Sequence, residues 1–200
     1  MLVFFGFYCE RWGWPFALGI VLSIYIHEMG HVSALKHYGI DSSVPVFIPF
    51  VGALIRVKQK FADPIQDARV GLAGPFWGLG AAVAAYISYL YFQNEILAAI
   101  AQTGAWINLF NLIPFWQLDG GRGFHSLNRT QRWLAFAAIG LALAFTHQVL
   151  LFALLGFALF QAFRKEVPTE ADHTGLLQYV CLVSVLSAMC CIPVSGMSQP

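Results

Sequence analysis

The chain has 200 residues, enough for one ordinary domain, but 58% of them are hydrophobic and only 10% are charged. Those fractions, together with a positive mean hydropathy, lie far from the composition of a soluble domain and favour the lipid bilayer as the solvent. The net charge of +1, with no basic stripe carrying interleaved aromatic residues, argues against a nucleic-acid partner.

Several segments can cross a membrane, which takes roughly 20 apolar residues. Four of them are residues 12–38, 70–92, 96–118 and 175–194, and the last three contain no Asp, Glu, Lys or Arg. The apolar block 133–163 is too long for one untilted crossing, and we interpret it as a tight hairpin that turns at Thr146-His147-Gln148. The pattern therefore predicts an all-α, polytopic membrane bundle of about six transmembrane segments.

The basic residues give this bundle an orientation. With six crossings, residues 36–69, 119–132 and 164–174 lie on one side, and the opposite side keeps only Arg11. The three loops together carry Lys36, Arg56, Lys58, Lys60, Arg69, Arg122, Arg129, Arg132, Arg164 and Lys165. Because basic residues concentrate in cytoplasmic loops, we expect these loops in the cytoplasm and the N-terminus outside.

The segment after the first span cannot be a continuous helix, because Pro45, Pro49 and Gly52 interrupt it. Its β-branched and aromatic residues favour an extended chain. We predict a short re-entrant β-hairpin or loop, whose backbone must be buried in protein or face a watery cavity.

The second and third spans carry helix-packing and helix-ending signals. Small residues let a neighbouring helix approach closely, and the first span is the expected neighbour. The small residues of the second span are Gly71, Gly74, Gly78 and Gly80. Pro114, near the end of the third span, and the pair Gly120-Gly121 after it predict that the helix unwinds close to Asp119.

The two ends of the chain give weaker expectations. The first twelve residues lack a basic leader and a small-residue cleavage site, so they resemble the tail of a helix rather than a signal peptide. Residues 1–194 are predicted to form a single transmembrane domain, with a catalytic core over 14–122 and additional helices over 132–194. Residues 195–200 are expected to be a disordered tail.

The strongest local feature is His27-Glu28-Met29-Gly30-His31, within the first span. Helical residues four apart lie on one face about 5–6 Å apart, so two imidazoles can bind one metal ion. Glu28, beside His27, can then handle the proton of an attacking water, as in a zinc hydrolase. Ionisable groups at membrane depth cost about 2.5–3.5 kcal/mol each, which favours a functional site over satisfied polar residues between helices.

Asp119 is the candidate for a third ligand, since catalytic zinc sites usually have three protein ligands. It is the only carboxylate with an apolar span on one side and a glycine pair on the other. The predicted topology brings Asp119 and His31 to the same cytoplasmic boundary. Alone, such an aspartate is more often a turn residue, but beside two histidines a ligand role is favoured.

These residues resemble the site-2 proteases, a family of intramembrane zinc metalloproteases. Three stretches carry the resemblance, namely HEMGH at 27–31, GLAGP at 71–75 and NLIPFWQLDGG at 111–121. The third fits the family pattern Asn-x-x-Pro-x-x-x-Leu-Asp-Gly. The resemblance covers residues 14–122, and PFVGALI at 49–55 is similar to the family's membrane-dipping β-hairpin. Family members commonly have a further helix before the first span, and the segments after residue 132 match no motif of the family.

The resemblance implies roles for individual residues. His27, His31 and Asp119 would bind one Zn²⁺ per chain, with Glu28 as the catalytic base. Asn111 would contact the substrate or stabilise the oxyanion. An unwound substrate strand would pair with the edge of a loop formed by Val51, Gly52, Ala53 and Leu54.

The expected function is hydrolysis of peptide bonds near the cytoplasmic membrane face, as in regulated intramembrane proteolysis. The expected partners are a transmembrane protein or peptide substrate and the lipid bilayer, and the expected location is a bacterial cell membrane. Two alternatives remain open. A zinc transporter should supply ligands along a pathway that reaches both sides, and a catalytically inactive scaffold should lack part of the site.

Overall fold

The computed structural model describes residues 13–40, 46–48, 52–54 and 63–194, and the described part is mainly helical. Its helices are α1 Trp14–His37, α2 Pro64–Phe92, α3 Glu95–Asn111, α4 Asp119–Gly123, α5 Arg129–Thr146, α6 Leu150–Ala162 and α7 His173–Met189. A short 3₁₀ turn, Phe124–Ser126, follows α4. Two three-residue strands, β1 Val46–Ile48 and β2 Gly52–Leu54, lie between α1 and α2.

Polar side chains and prolines set the starts of the helices. Asp63 accepts a hydrogen bond from the Gln66 N–H at 2.7 Å, and Pro64 occupies the first turn of α2, where no N–H is needed. Asn128 and Gln131 form a reciprocal capping box at the start of α5. These local signals explain where α2 and α5 begin.

Strands β1 and β2 pair antiparallel. Their Cα partners are Val46 with Leu54, Phe47 with Ala53 and Ile48 with Gly52. The pair falls in the segment for which a hairpin or re-entrant loop is expected, and whether this segment enters the membrane stays a prediction. Of the four residues expected to contact a substrate strand, Gly52, Ala53 and Leu54 form β2, whereas Val51 lies outside the described residues.

The apolar block 133–163 is divided between two helices. Helix α5 ends at Thr146, and His147 follows it with a φ of 53°, the left-handed conformation that ends a helix. Helix α6 begins at Leu150 and packs against α5. The block therefore forms an antiparallel helix pair that turns where the sequence pattern indicates.

The chain around Asp119 differs from the sequence-based expectation. Helix α3 ends at Asn111 instead of continuing to Leu118, and residues 112–118 form a loop. Gly120 and Gly121 do not end a helix, because they lie inside the short helix α4 that starts at Asp119. Both are buried, and a side chain at Gly120 would collide with the Leu112 carbonyl group. Close backbone contact, not helix termination, is therefore what requires these glycines.

The helices form two packed groups, which are joined by the contacts of α7 with α2 and α3. Helix α1 packs on α2 and α3, while α5 contacts α6 and α7. One apolar core joins residues from α3, α5, α6 and α7, including the fully buried Leu109, Leu151, Leu154 and Tyr179.

The exterior of the described helices is also apolar. Helix α1 turns Trp14, Leu18, Leu22 and Tyr25 outwards at helical spacing, and α2 exposes 81% of Tyr91 near its end. Helices α1 and α2, with 24 and 29 residues, are long and apolar enough to cross a membrane. An apolar exterior, with ionisable residues such as His27 and Asp119 buried inside, is the arrangement expected of a protein whose solvent is lipid.

Candidate metal centre

His27 and His31 lie one turn apart on the buried face of α1. Their side chains are largely buried, and their Nε2 atoms face each other at 3.1 Å. The four-residue spacing produces this geometry, since it places both rings on one side of the helix. The two imidazole rings predicted to bind a metal ion therefore lie side by side in the structure.

The hydrogen bond behind each ring determines which nitrogen carries the hydrogen when the ring is neutral. His31 Nδ1 lies 2.8 Å from the Val70 carbonyl oxygen, which can only accept, so Nδ1 carries the hydrogen. His27 Nδ1 lies 2.8 Å from Asn108 Oδ1. The Asn108 amide nitrogen donates to the Gly104 carbonyl, which assigns Oδ1 as the acceptor. In both neutral rings, Nε2 therefore presents a lone pair to the centre.

Asp119 brings a carboxylate to the same point from the start of α4. Its Oδ2 lies 3.1 Å from His27 Nε2, and its Oδ1 lies 3.3 Å from His31 Nε2. The side chain is buried, and Oδ2 has no hydrogen-bond donor. Three acceptors thus converge with no proton assigned between them, an arrangement that a cation would stabilise.

The three ligand atoms fit zinc in type and spacing. Nitrogen and oxygen atoms in a tetrahedral zinc site, with bonds of about 2.0–2.1 Å, lie roughly 3.3 Å apart. The two Nε2 atoms lie 3.1 Å apart, and each lies near a different Asp119 oxygen, His27 Nε2 at 3.1 Å from Oδ2 and His31 Nε2 at 3.3 Å from Oδ1, all close to that value. Among the described residues, His27, His31 and Asp119 are the group that could hold a metal ion. Three protein ligands leave one position for water or substrate, as catalytic zinc sites require.

Glu28 lies beside this group without belonging to it. Its side chain is mostly buried and is close enough to interact electrostatically with His27, His31 and Asp119. A carboxylate in this position can exchange protons with a water molecule at the open position.

Helix α2 leaves room for the centre by carrying glycines on the facing side. A Cβ atom at Gly74 would collide with the His31 ring and would lie 2.8 Å from His27 Nε2. A Cβ at Gly78 would collide with the Asn108 amide. The expected close approach of the first two spans is present at Gly74. Gly78 instead leaves room for the Asn108 side chain of α3, and a Cβ atom at Gly80 would have nothing within 4 Å.

The two asparagines of α3 differ in position. Asn108 is buried and holds His27, a role that the sequence-based interpretation missed. Its position three residues before Asn111, on a buried apolar helix, was the available signal. Asn111 is half-buried at the end of α3, and the structure records no hydrogen bond between its side chain and another described residue. Its predicted role at the oxyanion stays a prediction.

Comparisons with known proteins agree with this geometry. Residues 15–101 match the sequence model of peptidase family M50. The chain is 31% identical over 42% of its length to the probable zinc metalloprotease EGY1 of Arabidopsis thaliana, of which it covers 16%. It is 29% identical over 52% of its length to the zinc metalloprotease MJ0392 of Methanocaldococcus jannaschii, of which it covers 31%.

A further relative extends the similarity beyond the first helices. The probable zinc metalloprotease EGY2 of Arabidopsis thaliana is 26% identical over 90% of this chain, which covers 42% of that protein. The chain thus spans less than half the length of these curated relatives. Residues 15–101, which include His27 and His31, are thus similar to peptidase family M50, and the relatives described here carry the name zinc metalloprotease.

Proposed function

We propose that this chain is an intramembrane zinc endopeptidase that hydrolyses peptide bonds of transmembrane substrates near the cytoplasmic membrane face. The observation that carries the proposal is the convergence of three buried acceptor atoms, from His27, His31 and Asp119, beside the carboxylate of Glu28. The apolar exterior of the surrounding helices supports a location within the bilayer.

We further propose a multi-pass arrangement in which α1, α2, α3, α5, α6 and α7 cross the membrane, in a bacterial cell membrane. The density of basic residues in the loops before α2, after α4 and before α7 supports a cytoplasmic position for those loops. Asp119 follows the end of α3 on that side, so water reaches the centre from the cytoplasm.

The chain's own residues supply binding and proton transfer. His27, His31 and Asp119 would hold a zinc ion, which would supply the Lewis acidity that polarises a peptide carbonyl and makes a water molecule more acidic. Glu28 accepts the proton of the attacking water and passes it to the leaving amine nitrogen, as hydroxide adds to the carbonyl carbon and the C–N bond breaks. Asn111 donates from its amide to the oxyanion, a contribution of about 3 kcal/mol at comparable sites.

Substrate binding requires an extended peptide, because the carbonyl groups of a helix are hydrogen-bonded and shielded from attack. The antiparallel pair β1–β2 supports a role for this segment in holding an unwound strand by edge pairing. Replacing Ala53 with proline removes one backbone N–H from β2, and cleavage at the wild-type rate in that variant would contradict the edge-pairing step.

Purified protein and a model transmembrane substrate in detergent test the function. We expect cleavage that stops when a chelator removes the metal and returns when zinc is added, with mass spectrometry placing the cut near the cytoplasmic end of the substrate. His31→Ala and Asp119→Asn should hold less zinc and cleave nothing. Zinc uptake into proteoliposomes by a chain that cleaves no peptide would instead favour a transporter.

A further inference from the structure

We propose that Tyr179 of α7 and Gln161 of α6 are positioning residues for the metal centre, holding the Asp119 carboxylate in place through the backbone before it. The inference rests on the proposed function, because it concerns the third ligand of the same site. It assigns a role to α6 and α7, both of which lie outside residues 15–101, the part that matches the family model.

The loop between α3 and α4 is held by side chains from these two later helices. The Tyr179 hydroxyl donates to the Leu112 carbonyl oxygen at 2.7 Å, and the Tyr179 side chain is completely buried. The Gln161 amide donates to the Pro114 carbonyl oxygen at 3.0 Å, also in a buried position. A loop carbonyl would otherwise be buried without a partner, so each bond fixes the loop by a contact that is costly to lose.

The Leu112 carbonyl group, which Tyr179 holds, contacts the backbone of Gly120, the residue after Asp119. A Cβ atom at Gly120 would overlap the Leu112 carbonyl, which shows that the two backbones are in direct contact. At Gly121, a Cβ would lie 2.7 Å from the Trp116 carbonyl oxygen. A displacement of Leu112 would therefore push on Gly120, and the adjacent Asp119 would move with it.

The chain leaving the site is held by the same group of helices. Arg132 of α5 is buried and donates to the carbonyl oxygens of Phe124 and Leu127 at 2.9 and 3.0 Å. Its third bond, of 2.9 Å, goes to the carbonyl oxygen of Gln161 itself. Helix α4 and its aspartate are thus fixed on both sides by one connected set of hydrogen bonds.

The position of the Asp119 carboxylate affects how tightly the site binds a metal ion. Residues that orient a ligand without contacting the metal typically change metal affinity about 10- to 100-fold when they are replaced. Tyr179 and Gln161 act one step further away, through the backbone, so we expect the lower end of that range.

The test compares Tyr179→Phe and Gln161→Leu with Gln102→Leu. Tyr179→Phe removes only the hydroxyl and keeps the ring contact with Phe124 at a centroid distance of 4.9 Å. Gln102 is the matched control, because its amide also bonds backbone carbonyls, those of Cys190 and Ile192, at the opposite end of α7.

Two readouts that do not depend on cleavage are measured on full-length protein in detergent. Zinc affinity is measured by competition with a chromophoric chelator, and the absorption spectrum of the cobalt-loaded protein reports the ligand geometry. We expect about tenfold weaker zinc binding and an altered cobalt spectrum for Tyr179→Phe and for Gln161→Leu. Gln102→Leu should stay within twofold of the wild type with an unchanged spectrum.

Wild-type affinity and spectrum in both Tyr179→Phe and Gln161→Leu would overturn the inference. An equal loss of affinity in all three variants would also overturn it, since it would reveal general destabilisation. If one of the two variants, Gln161→Leu or Tyr179→Phe, does not fold, the zinc affinity and cobalt spectrum of the other variant test the inference. Failure of the wild type to bind zinc would refute the proposed function itself, which separates the two claims.

Discussion

At His27 and His31, the hydrogen bond on the far side of each ring determines what the near side can bind. Asn108 and the Val70 carbonyl each occupy an Nδ1 position, at 2.8 Å in both cases, and so leave Nε2 free for a metal. Such partners fix the tautomer and raise the basicity of a ligand.

Asn108→Ala removes the partner of His27 without touching a ligand. We expect zinc affinity to fall about 10- to 100-fold, because the His27 ring loses the bond that orients it. Asn111→Ala, on the next turn of α3, is the comparison, and it should lower cleavage while keeping wild-type zinc affinity. Zinc binding by Asn108→Ala that equals the wild type would show that the His27 ring needs no such support.

Gly74→Ala tests whether the space beside the histidines is needed. The added methyl group would collide with the His31 ring, so the variant should bind zinc at least tenfold more weakly or not at all. Gly80→Ala on the same helix has nothing within 4 Å of the added methyl group. It should keep its zinc and gain up to about 1 kcal/mol in stability, since alanine favours a helix. Equal zinc affinity in the two variants would contradict the close approach of α2.

The sequence alone was sufficient to identify the residues that converge at the centre, but not the hydrogen-bond partners that orient the histidine rings. The spacing of His27 and His31 determines their shared helix face, and Asp119 stands out as a carboxylate beside an apolar span. Asn108 and the Val70 carbonyl could not be assigned, because their contacts with the rings depend on how α2 and α3 pack on α1.

Among the elements, α2 and α7 are joined near their first turns by an ion pair. Arg69 and Asp172 form a bidentate contact, with Nη1 to Oδ2 at 2.9 Å and Nη2 to Oδ1 at 2.5 Å. Asp172 also accepts the Gly175 N–H at the start of α7. Burial raises the pKa of Asp172, but the bonds from Arg69 and Gly175 lower it more, so its pKa lies below the ordinary value.

The sign of this shift predicts a pH dependence. A carboxylate with a lowered pKa in the fold stabilises it above about pH 4, and the stabilisation is lost as pH falls through the lowered value. Asp172→Asn should lower the free energy of unfolding by about 1–3 kcal/mol at neutral pH, with a shrinking deficit towards pH 3. Thermal unfolding in detergent at several pH values measures this difference in stability. Glu170→Gln is the control, because Glu170 is an exposed carboxylate of the same loop. A deficit that stays constant down to pH 3 would contradict the assigned ion pair.

Some helix ends could be predicted from the sequence pattern and others could not. The turn at 146–148 was predictable, because a polar triplet interrupts a long apolar block. The end of α3 was predicted too late in the chain, because residues 112–118 are mostly apolar although they form a loop that contains Pro114. That loop is stabilised by bonds from Gln161 and Tyr179, which are 47 and 67 residues away from their acceptors in the chain. Contacts at such separations leave no periodic signal.

For the whole molecule, the proposed topology predicts the side on which each loop is exposed. Single cysteines at Gln93, His147 and Glu170, in a protein whose native cysteines are replaced, can be labelled with a membrane-impermeant maleimide. We expect Glu170→Cys to react from the cytoplasmic side, and Gln93→Cys and His147→Cys from the opposite side. His147 is the sharpest test, because α6 has only 13 residues and rises about 20 Å. Labelling of His147→Cys from the cytoplasmic side would contradict the crossing by α5 and α6.

In the proposed mechanism, metal binding and proton transfer are carried out by different residues of one site. Zinc content and substrate cleavage measured on the same preparation of Glu28→Gln test it directly, because glutamine keeps the size of the side chain but cannot accept the proton. We expect about one zinc per chain and a loss of cleavage by several orders of magnitude. Cleavage at the wild-type rate by zinc-loaded Glu28→Gln would contradict the assignment of Glu28 and the proposed mechanism.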